Sequence, residues 1–310
     1  MKITFKKIER ILFDSNYRWS ILRDRGCFNG MDDAMYLKRM FEIAMGYKLN
    51  LSNPQTYNEK LQWLKLYDHN PIYTVMVDKY AVKDYVANII GYKYIIPTLG
   101  VWDKFEDIDF ETLPNQFVLK CTHDSGGLVI CKDKSKFNIN LARKKINNSL
   151  KQNFYYYGRE WPYKNVKPRI IAEKYMEQSI ENRANKENST LNDYKIYTFN
   201  GKAKMCMINQ DRGHHTRADY FDENFNKFDF TWGYDHADVL PKKPKNYEKM
   251  FELAEMLAEG TIELRVDFYE VDGNIYFGEL TFFDGSGFDK IEPKSYDMML
   301  GTWLKLPNME

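Results

Sequence analysis

Two segments of the sequence combine charged residues with short glycine-containing turns. The first, FVLKCTHDSGGLVICK, begins at Phe117 and places Lys120 at the end of an apolar run, before Ser125, Gly126 and Gly127. Two apolar runs around such a turn predict a β-hairpin whose tip exposes backbone N–H groups. A glycine tip can fold closely over phosphate oxygens, and the lysine supplies a point charge beneath it. A plain hairpin with a surface lysine is the open alternative.

The second segment, RVDFYEVDGNIYFGELTFF, places Arg265 and Asp267 two residues apart, so they share one face of a strand. Glu279 and Thr281 join that face only if the Asp-Gly loop holds an odd number of residues, and we expect a three-residue, bulge-type loop. Paired acids on a sheet repel unless a cation lies between them, and Mg²⁺ suits two carboxylates completed by substrate phosphates. The open alternative is that both acids pair with Arg265 at the surface.

The elements that position these residues follow from apolar spacing. Residues 1 to about 90 are expected to be helical, with a capping box formed by Thr56 and Glu59 and a helix that Gly91 ends. After YKYIIPTLGVW the pattern changes to strands, in QFVLKC, GGLVICK, RIIAEKYM, YKIYTFNGKAKMCMI and the second segment, with one helix in NYEKMFELAEMLAEG.

Composition excludes several classes of protein. The chain has 310 residues, 44% hydrophobic and 29% charged, which is enough for one large or two modest cores. A net charge of +1 gives no global field that favours nucleic acid. We find no signal peptide and no stretch as long as a membrane span, and expect a cytoplasmic protein. The cysteines lack metal-site spacing and are expected to be reduced thiols: Cys27, Cys121, Cys131 and Cys206.

Taken in order, the segments resemble the ATP-grasp superfamily, and most closely its TupA-like branch, named for teichuronopeptide biosynthesis. The resemblance includes LNLSNPQTYNEKLQWLKLYD, VDKYAVKDYV, FVLKCTHDSGG, IIAEKYME, DYKIYTFNG and the second segment, and covers most of residues 48–290. It implies an ATP-grasp fold, in which two α+β subdomains hold ATP. We expect a helical N-terminal region at 1–75, a subdomain with the glycine-rich flap at 76–175, and a subdomain with the metal-binding hairpin at 176–310.

The resemblance also implies roles for individual residues. Arg265 and Lys195 are expected to be catalytic, and Asp267, Glu279 and Thr281 to bind the metal. Thr281 departs from the usual pattern, which has asparagine at the end of Glu-x-Asn, so a second metal is in doubt. The residues implied in nucleotide binding are Lys79, Lys120, Ser125, Gly126, Gly127, Glu173, Lys174, Tyr175 and Lys195.

These residues imply ATP and Mg²⁺ as cofactors of a ligase in bacterial surface-polysaccharide biosynthesis. The ligase would activate a carboxylate, of a uronic acid or amino acid, as an acyl phosphate and join it to an amine. An ATP-grasp kinase that phosphorylates a sugar keeps the same contacts and stays open. A glycosyltransferase is the other alternative, because Asp107 and Asp109 form an acid-x-acid pattern, but their setting is loop-like.

The substrate partners are less visible in the sequence. Arg212 or Arg217, in DRGHHTRADYFDENFNKF, is expected to hold the carboxylate substrate, and a solvated polar loop is the alternative. Residues 181–190 are expected to form a mobile loop. The basic, amphipathic N-terminus allows a peripheral contact with the inner face of a membrane or a lipid-linked glycan. No nucleic acid and no protein partner is expected.

Overall fold

The computed structural model describes residues 13–179, 191–210 and 216–307. Helices fill most of residues 13–90, as the apolar spacing predicts. The capping box is present, because Thr56 accepts a hydrogen bond from the Glu59 N–H and the Glu59 side chain accepts one from the Thr56 N–H. The helices are α1 (Ser15–Asp24), α2 (Asp33–Met45), α3 (Tyr57–Tyr67), α4 (Ile72–Val77), α5 (Ala81–Ile90), α6 (Ile139–Ser149), α7 (Tyr155–Gly158), α8 (Tyr247–Leu257) and α9 (Lys294–Trp303).

The strands form a four-stranded sheet in the order β1-β4-β2-β3, a six-stranded sheet in the order β11-β10-β5-β6-β7-β8, and a small β9–β12 pair. Neighbouring strands in both larger sheets are antiparallel. The two predicted hairpins are therefore β2–β3 and β10–β11, and β5–β6 is a third hairpin. The strands are β1 (Thr98–Trp102), β2 (Phe117–Cys121), β3 (Leu128–Cys131), β4 (Ile170–Lys174), β5 (Asp193–Phe199), β6 (Lys202–Gln210), β7 (Arg217–Phe221), β8 (Lys227–Phe228), β9 (Thr231–Trp232), β10 (Glu263–Val271), β11 (Asn274–Thr281) and β12 (Ile291–Glu292).

Each larger sheet has its own hydrophobic core. The four-stranded sheet packs against α6, through residues such as Phe117 and Ile146. The six-stranded sheet packs against α8 and also against α3, α4 and α5, so that Leu61 and Val86 share a core with Ile196. A third, smaller core surrounds α2. The domain boundaries after residues 75 and 175 stay predictions.

The loop of the β10–β11 hairpin differs in length from the predicted one. Val271 pairs with Asn274, so the loop is the two residues Asp272 and Gly273, and both have positive φ, at 50° and 76°, as a type I′ turn requires. The expected three-residue loop is therefore wrong. A β-bulge replaces the odd loop: Asp267 pairs with Glu279 while Phe268 pairs with Phe277, so Gly278 is an extra residue on β11.

The bulge places Glu279 and Thr281 on the same face as Arg265 and Asp267, which the odd loop was expected to do. Asp267 lies opposite Glu279, and Arg265 lies opposite Thr281, so all four side chains share one face. Without the extra residue, Asp267 would face Gly278 and Glu279 would point to the other side of the sheet. The extra residue is a glycine that lies tightly against its partner strand.

We predict that Gly278→Ala destabilises the protein by about 1–3 kcal/mol, because a Cβ there would lie 3.1 Å from both the Asp267 carbonyl oxygen and the Tyr269 ring. The matched control is Gly126→Ala, where the nearest atom is 4.0 Å from the added Cβ. Urea unfolding of both variants measures the difference. Equal stability of the two variants would contradict this packing of the bulge.

Candidate active site

The two larger sheets face each other across a cavity of about 200 Å³. The four-stranded sheet and the chain before it contribute lysines and the glycine turn, and the six-stranded sheet contributes carboxylates. The structure thus brings together residues that the sequence analysis takes from four separate segments. The cavity is lined by Lys79, Lys120, Cys121, Asp124, Ser125, Gly127, Leu128, Asp193, Asp267, Tyr269, Gly278 and Glu279.

Asp267 is the centre of a buried ion-pair cluster on the six-stranded sheet. Arg265 holds it with two hydrogen bonds, from Nε to Oδ1 at 2.7 Å and from Nη2 to Oδ2 at 2.8 Å. Lys195 also contacts Asp267 Oδ2, and its Nζ lies 2.8 Å from Asp193 Oδ2. Strand register explains this, because Lys195 on β5 is the direct neighbour of Asp267 on β10.

Arg265 has two further acidic partners. Its Nη2 lies 3.2 Å from Glu279 Oε1, and its Nη1 contacts Asp284 Oδ1. Asp284 in turn accepts a hydrogen bond from the Tyr197 hydroxyl. Sequence reasoning missed Asp284. The one feature of the sequence that points to it is its position three residues after Thr281, directly before Gly-Ser-Gly.

The charges in this cluster stabilise one another. Burial alone would raise the pKa of Asp267, but Arg265 and Lys195 outweigh it and lower that pKa. Burial and Arg265 act to lower the pKa of Lys195, whereas the carboxylates around it raise the pKa above its ordinary value. The pKa of Arg265 is raised as well, because Asp267 and Asp284 outweigh its burial. All three groups are therefore charged at neutral pH.

The donor set fits Mg²⁺. Asp267 and Glu279 are hard oxygen ligands on one face, and Thr281 adds a hydroxyl on that face. Glu279 is 39% exposed, and only its Oε1 has a contact among the described residues, so Oε2 can accept a cation from the cavity. Across the described ranges, no cluster of three or more His, Cys, Asp or Glu side chains could hold a metal. Two carboxylates with substrate phosphates are the arrangement typical of Mg²⁺.

Glu173 lies between two lysines on the opposite sheet. Lys120 Nζ is 2.6 Å from Glu173 Oε2, and Lys83 contacts Oε1 and donates to the Ile96 carbonyl at 2.7 Å. Burial would raise the pKa of Glu173, but Lys120 and Lys83 outweigh it and lower that pKa. Sequence reasoning missed Lys83, whose signal is its position one helical turn after Lys79.

The flap turn is held by Asp124. Its carboxylate accepts the Gly127 N–H at 3.0 and 3.1 Å and a hydrogen bond from the Ser149 hydroxyl at the end of α6. A Cβ on Gly127 would lie 2.5 Å from the Ser149 hydroxyl, so only glycine fits there. Ser125 and Gly126 are exposed at the tip. Lys79 donates to the Asp124 carbonyl and so ties the flap to the start of α5.

The expected adenine contacts lie where β4 ends. The Lys174 N–H already donates to the Pro97 carbonyl at 3.0 Å, so a bound base would use its carbonyl or later backbone groups. The ring of Tyr175 lies under Lys132 Nζ, at 5.9 Å. The cavity is smaller than the 300–1,000 Å³ of typical ligand pockets.

Arg217 does not line the cavity. Its neighbour Ala218 shares the face of Asp193, through Asn209, whereas Arg217 points to the opposite face. There its Nη1 lies 2.9 Å from Asp235 Oδ2. Arg212, the loop at residues 181–190 and the first twelve residues lie outside the described ranges, so the predictions that concern them stay predictions.

Two other predictions can be compared with the structure. Asp107 ends a short 3₁₀ helix and Asp109 follows it in a turn, which agrees with the loop-like setting inferred for this acid pair. None of the helices in the described ranges combines the length and apolar character that a membrane crossing needs.

A sequence profile described as TupA-like ATPgrasp matches residues 59–305, which is most of the chain. The chain belongs to this family. Its fold is therefore the ATP-grasp fold, an α+β architecture, as the sequence resemblance implies. No sequence among curated proteins matches the chain.

Several solved structures resemble this TupA-like ATP-grasp chain. The D-alanine–D-alanine ligase from Bacillus anthracis is 17% identical, with a TM-score of 0.39, over 67% of this chain and 57% of the ligase. The Helicobacter pylori enzyme is 14% identical, with a TM-score of 0.40, over 81% and 69%. The ATP-grasp ligase PsnB with precursor, Mg and ADP is 10% identical, with a TM-score of 0.37, over 79% and 66%. The chain thus spans little more than half of the first ligase, and at these TM-scores the likeness indicates nothing about its substrates.

We predict that Glu173→Gln lowers the free energy of unfolding by about 3 kcal/mol at pH 7, because it leaves Lys83 and Lys120 without a buried counter-charge. The folded-state pKa of Glu173 is below its ordinary value of 4.5, so its stabilisation is complete above that pH. The stabilisation is lost as pH falls through the lower folded-state pKa.

Denaturant unfolding from pH 8 to pH 3 measures this effect. The difference in free energy of unfolding between the unsubstituted chain and Glu173→Gln should stay constant down to about pH 5 and become smaller below it. The control Glu248→Gln removes an exposed acid paired with Lys243 and should change stability little. A difference that is independent of pH would show that Glu173 is not held as a carboxylate.

Proposed function

We propose that this chain is an ATP-dependent carboxylate–amine ligase. The observation that carries the proposal is the placement of Lys79, Lys120 and the glycine flap directly across one cavity from Asp267 and Glu279. Backbone N–H groups and lysines suit phosphates, and a facing pair of carboxylates suits the cation that accompanies them. The family match supports ATP as the nucleotide.

The proposed reaction has two steps. A carboxylate oxygen of the first substrate attacks the γ-phosphorus of ATP, the bond from that phosphorus to the β,γ-bridging oxygen breaks, and ADP leaves. The amine of the second substrate then attacks the acyl carbon, an amide bond forms, and inorganic phosphate leaves as the amine loses a proton. No side-chain nucleophile is needed, and the cavity contains no Ser-His-Asp or Cys-His arrangement among its lining residues.

The residues of this chain act mainly by position and charge. In this proposal Lys120 on β2 and Lys79 just before α5 bind phosphate oxygens. Lys195 on β5 contributes a further positive charge beside Asp267. Asp267 and Glu279 would hold Mg²⁺, which supplies charge neutralisation for the phosphates. Arg265 is held by three carboxylates, and in this proposal its guanidinium would stabilise the negative charge that builds up during both transfers.

The flap has a second role in this proposal. An acyl phosphate hydrolyses if water reaches it, so the cavity must exclude water during the reaction. The Asp124 carboxylate fixes the turn that covers the cavity, and Lys79 holds that turn down. We expect the flap to open for nucleotide entry and to return to this arrangement afterwards.

We further propose a role in the assembly of a bacterial surface polysaccharide, in the cytoplasm where ATP is present. The TupA-like family description supports this part of the proposal. The carboxylate would then belong to a uronic acid or an amino acid, and the product would be an amide-linked glycan or its precursor. Arg212 stays a candidate for the carboxylate contact.

We predict that ATP and ADP raise the melting temperature of the protein only in the presence of Mg²⁺, and that Glu279→Gln removes most of the Mg²⁺-dependent part. Loss of one carboxylate ligand weakens the metal bridge to the phosphates. Differential scanning fluorimetry measures this, with Glu259→Gln, an exposed acid after α8, as the matched control. Stabilisation by UDP-sugars alone would overturn the proposal in favour of a glycosyltransferase.

A product analysis separates the ligase from the kinase. With ATP, Mg²⁺, glucuronic acid and an amino acid mixture, the ligase releases ADP and phosphate in equal amounts, and hydroxylamine traps the acyl phosphate as a hydroxamate. A kinase releases ADP with a stable phosphorylated sugar and no hydroxamate. We predict the first result, and Arg265→Lys should slow it by on the order of a hundredfold, because a single ammonium cannot replace the planar fork.

A further inference from the structure

The turn that carries Asp284 is built in an unusual conformation. Gly285, Ser286 and Gly287 have φ of 53°, 55° and 62°, so three consecutive residues are left-handed. Serine in this region costs about 1–3 kcal/mol and persists only where surrounding contacts fix it. The turn at Asp284–Gly287 therefore depends on contacts from outside it.

Helix α3 supplies those contacts from a polar stripe. Gln62 and Lys65 lie three positions apart on one face of α3 and are both buried. Gln62 Nε2 donates to the carbonyls of Ser286 at 3.2 Å and Gly287 at 2.9 Å. Lys65 Nζ donates to the Ser286 carbonyl at 2.7 Å, to the Ser286 hydroxyl at 3.0 Å and to Gln62 Oε1 at 3.0 Å.

Burying Lys65 at this position removes its Nζ from water, which is unfavourable. The residue is 2% exposed, and no carboxylate among the described residues lies within ion-pair distance of its Nζ. Burial lowers its pKa to about 7, against the opposing charge of Glu160. Three hydrogen bonds offset the burial of Nζ, to the Ser286 carbonyl, the Ser286 hydroxyl and Gln62 Oε1.

A second segment fixes the same turn from the other side. Glu160 is buried beside Ser286: burial raises the pKa of its carboxyl, and Lys65 and the Ser286 side chain act against that rise. Gly158 lies so close that a Cβ on it would be 2.0 Å from the Ser286 hydroxyl. Ser286 is thus enclosed by α3 and by the segment around α7, and the turn cannot shift without breaking contacts on both sides.

Asp284, the first residue of the turn, contacts the buried ion-pair cluster around Asp267. Asp284 binds Arg265 Nη1 through Oδ1 and the Tyr197 hydroxyl through Oδ2. Because the turn fixes where the Asp284 carboxylate lies, it also fixes the third anchor of the guanidinium. The chain of contacts runs from Lys65 and Gln62 through Ser286 to Asp284 and then to Arg265.

We propose that Lys65 and Gln62 are positioning residues for the transfer step: they hold the left-handed turn at Asp284–Gly287, and through Asp284 they orient the Arg265 guanidinium. This inference rests on the proposed function, in which Arg265 stabilises the charge of the transferring phosphoryl group. It assigns a role to the NEKLQWLKLYDH stretch, whose polar residues the nucleotide contacts leave unexplained.

The test compares binding of MgADP with binding of MgADP plus aluminium fluoride, which imitates the transferring phosphoryl group, by isothermal titration calorimetry. The unsubstituted chain should bind the second probe more tightly. Lys65→Met should reduce that preference by on the order of tenfold, because Arg265 loses its alignment, and should leave the affinity for MgADP unchanged. A purely structural role of Lys65 would not change the preference of the folded variant.

A double-mutant cycle tests the route through Asp284. Asp284→Asn should reduce the preference by itself, and Lys65→Met together with Asp284→Asn should be no worse than the more damaging single change. Lys60→Met is the matched control, because Lys60 also lies on α3 and donates to two carbonyls, of Gly301 at 2.8 Å and Leu304 at 2.7 Å. It should lower stability and keep the preference.

Gln62→Met replaces Lys65→Met if the latter does not fold, and the same loss of preference is expected. An unchanged preference in either folded variant, or additive effects in the cycle, overturns this inference while nucleotide binding still supports the proposed function. If the unsubstituted chain binds no MgADP, the proposed function fails and the inference fails with it.

Discussion

The contact on which the site depends is the buried pairing of Asp267 with Arg265 and Lys195. Removing these charges from water costs several kcal/mol per ion, and only good geometry with full hydrogen bonding offsets that cost. The sheet supplies the geometry, because β10 places Arg265 and Asp267 on one face and β5 places Lys195 directly beside Asp267. The cluster is therefore formed before any nucleotide arrives, and its charges need no reorganisation during the reaction.

The cations of the cavity already have partners when the two sheets are close. Lys120 pairs with Glu173, and Lys79 donates to the Asp124 carbonyl, so phosphates that bind as proposed would replace these partners. The present partners keep the lysines in place. Because each of these contacts must be broken, the net binding free energy that a phosphate gains from each lysine is smaller. Such an exchange would also couple the phosphates to the flap, because releasing Lys79 from the Asp124 carbonyl removes one of the contacts that hold the turn. Nucleotide binding and flap movement are then two aspects of one exchange of partners.

Sequence patterns predicted the parts that depend on local spacing. The two-residue interval between Arg265 and Asp267 fixed their common face, and the Ser-Gly-Gly turn indicated the flap hairpin. The bulge at Gly278 was not predictable, because parity depends on the loop and the bulge together and periodicity shows neither. The partner lysine of Glu173, Lys83, comes from the approach of α5 to β4, which no local pattern encodes. The position of Arg217 away from the cavity was not predictable for a related reason, since one residue of register decides which face its side chain takes.

The most direct test of the central claim, that MgATP binds between the two sheets, is hydrogen–deuterium exchange with and without Mg²⁺ and a non-hydrolysable ATP analogue. The account predicts simultaneous protection of peptides that cover residues 117–131 and residues 263–281, with no protection when Mg²⁺ is replaced by EDTA. Protection confined to one sheet would contradict the account. It would show that the facing lysines and carboxylates do not share a ligand.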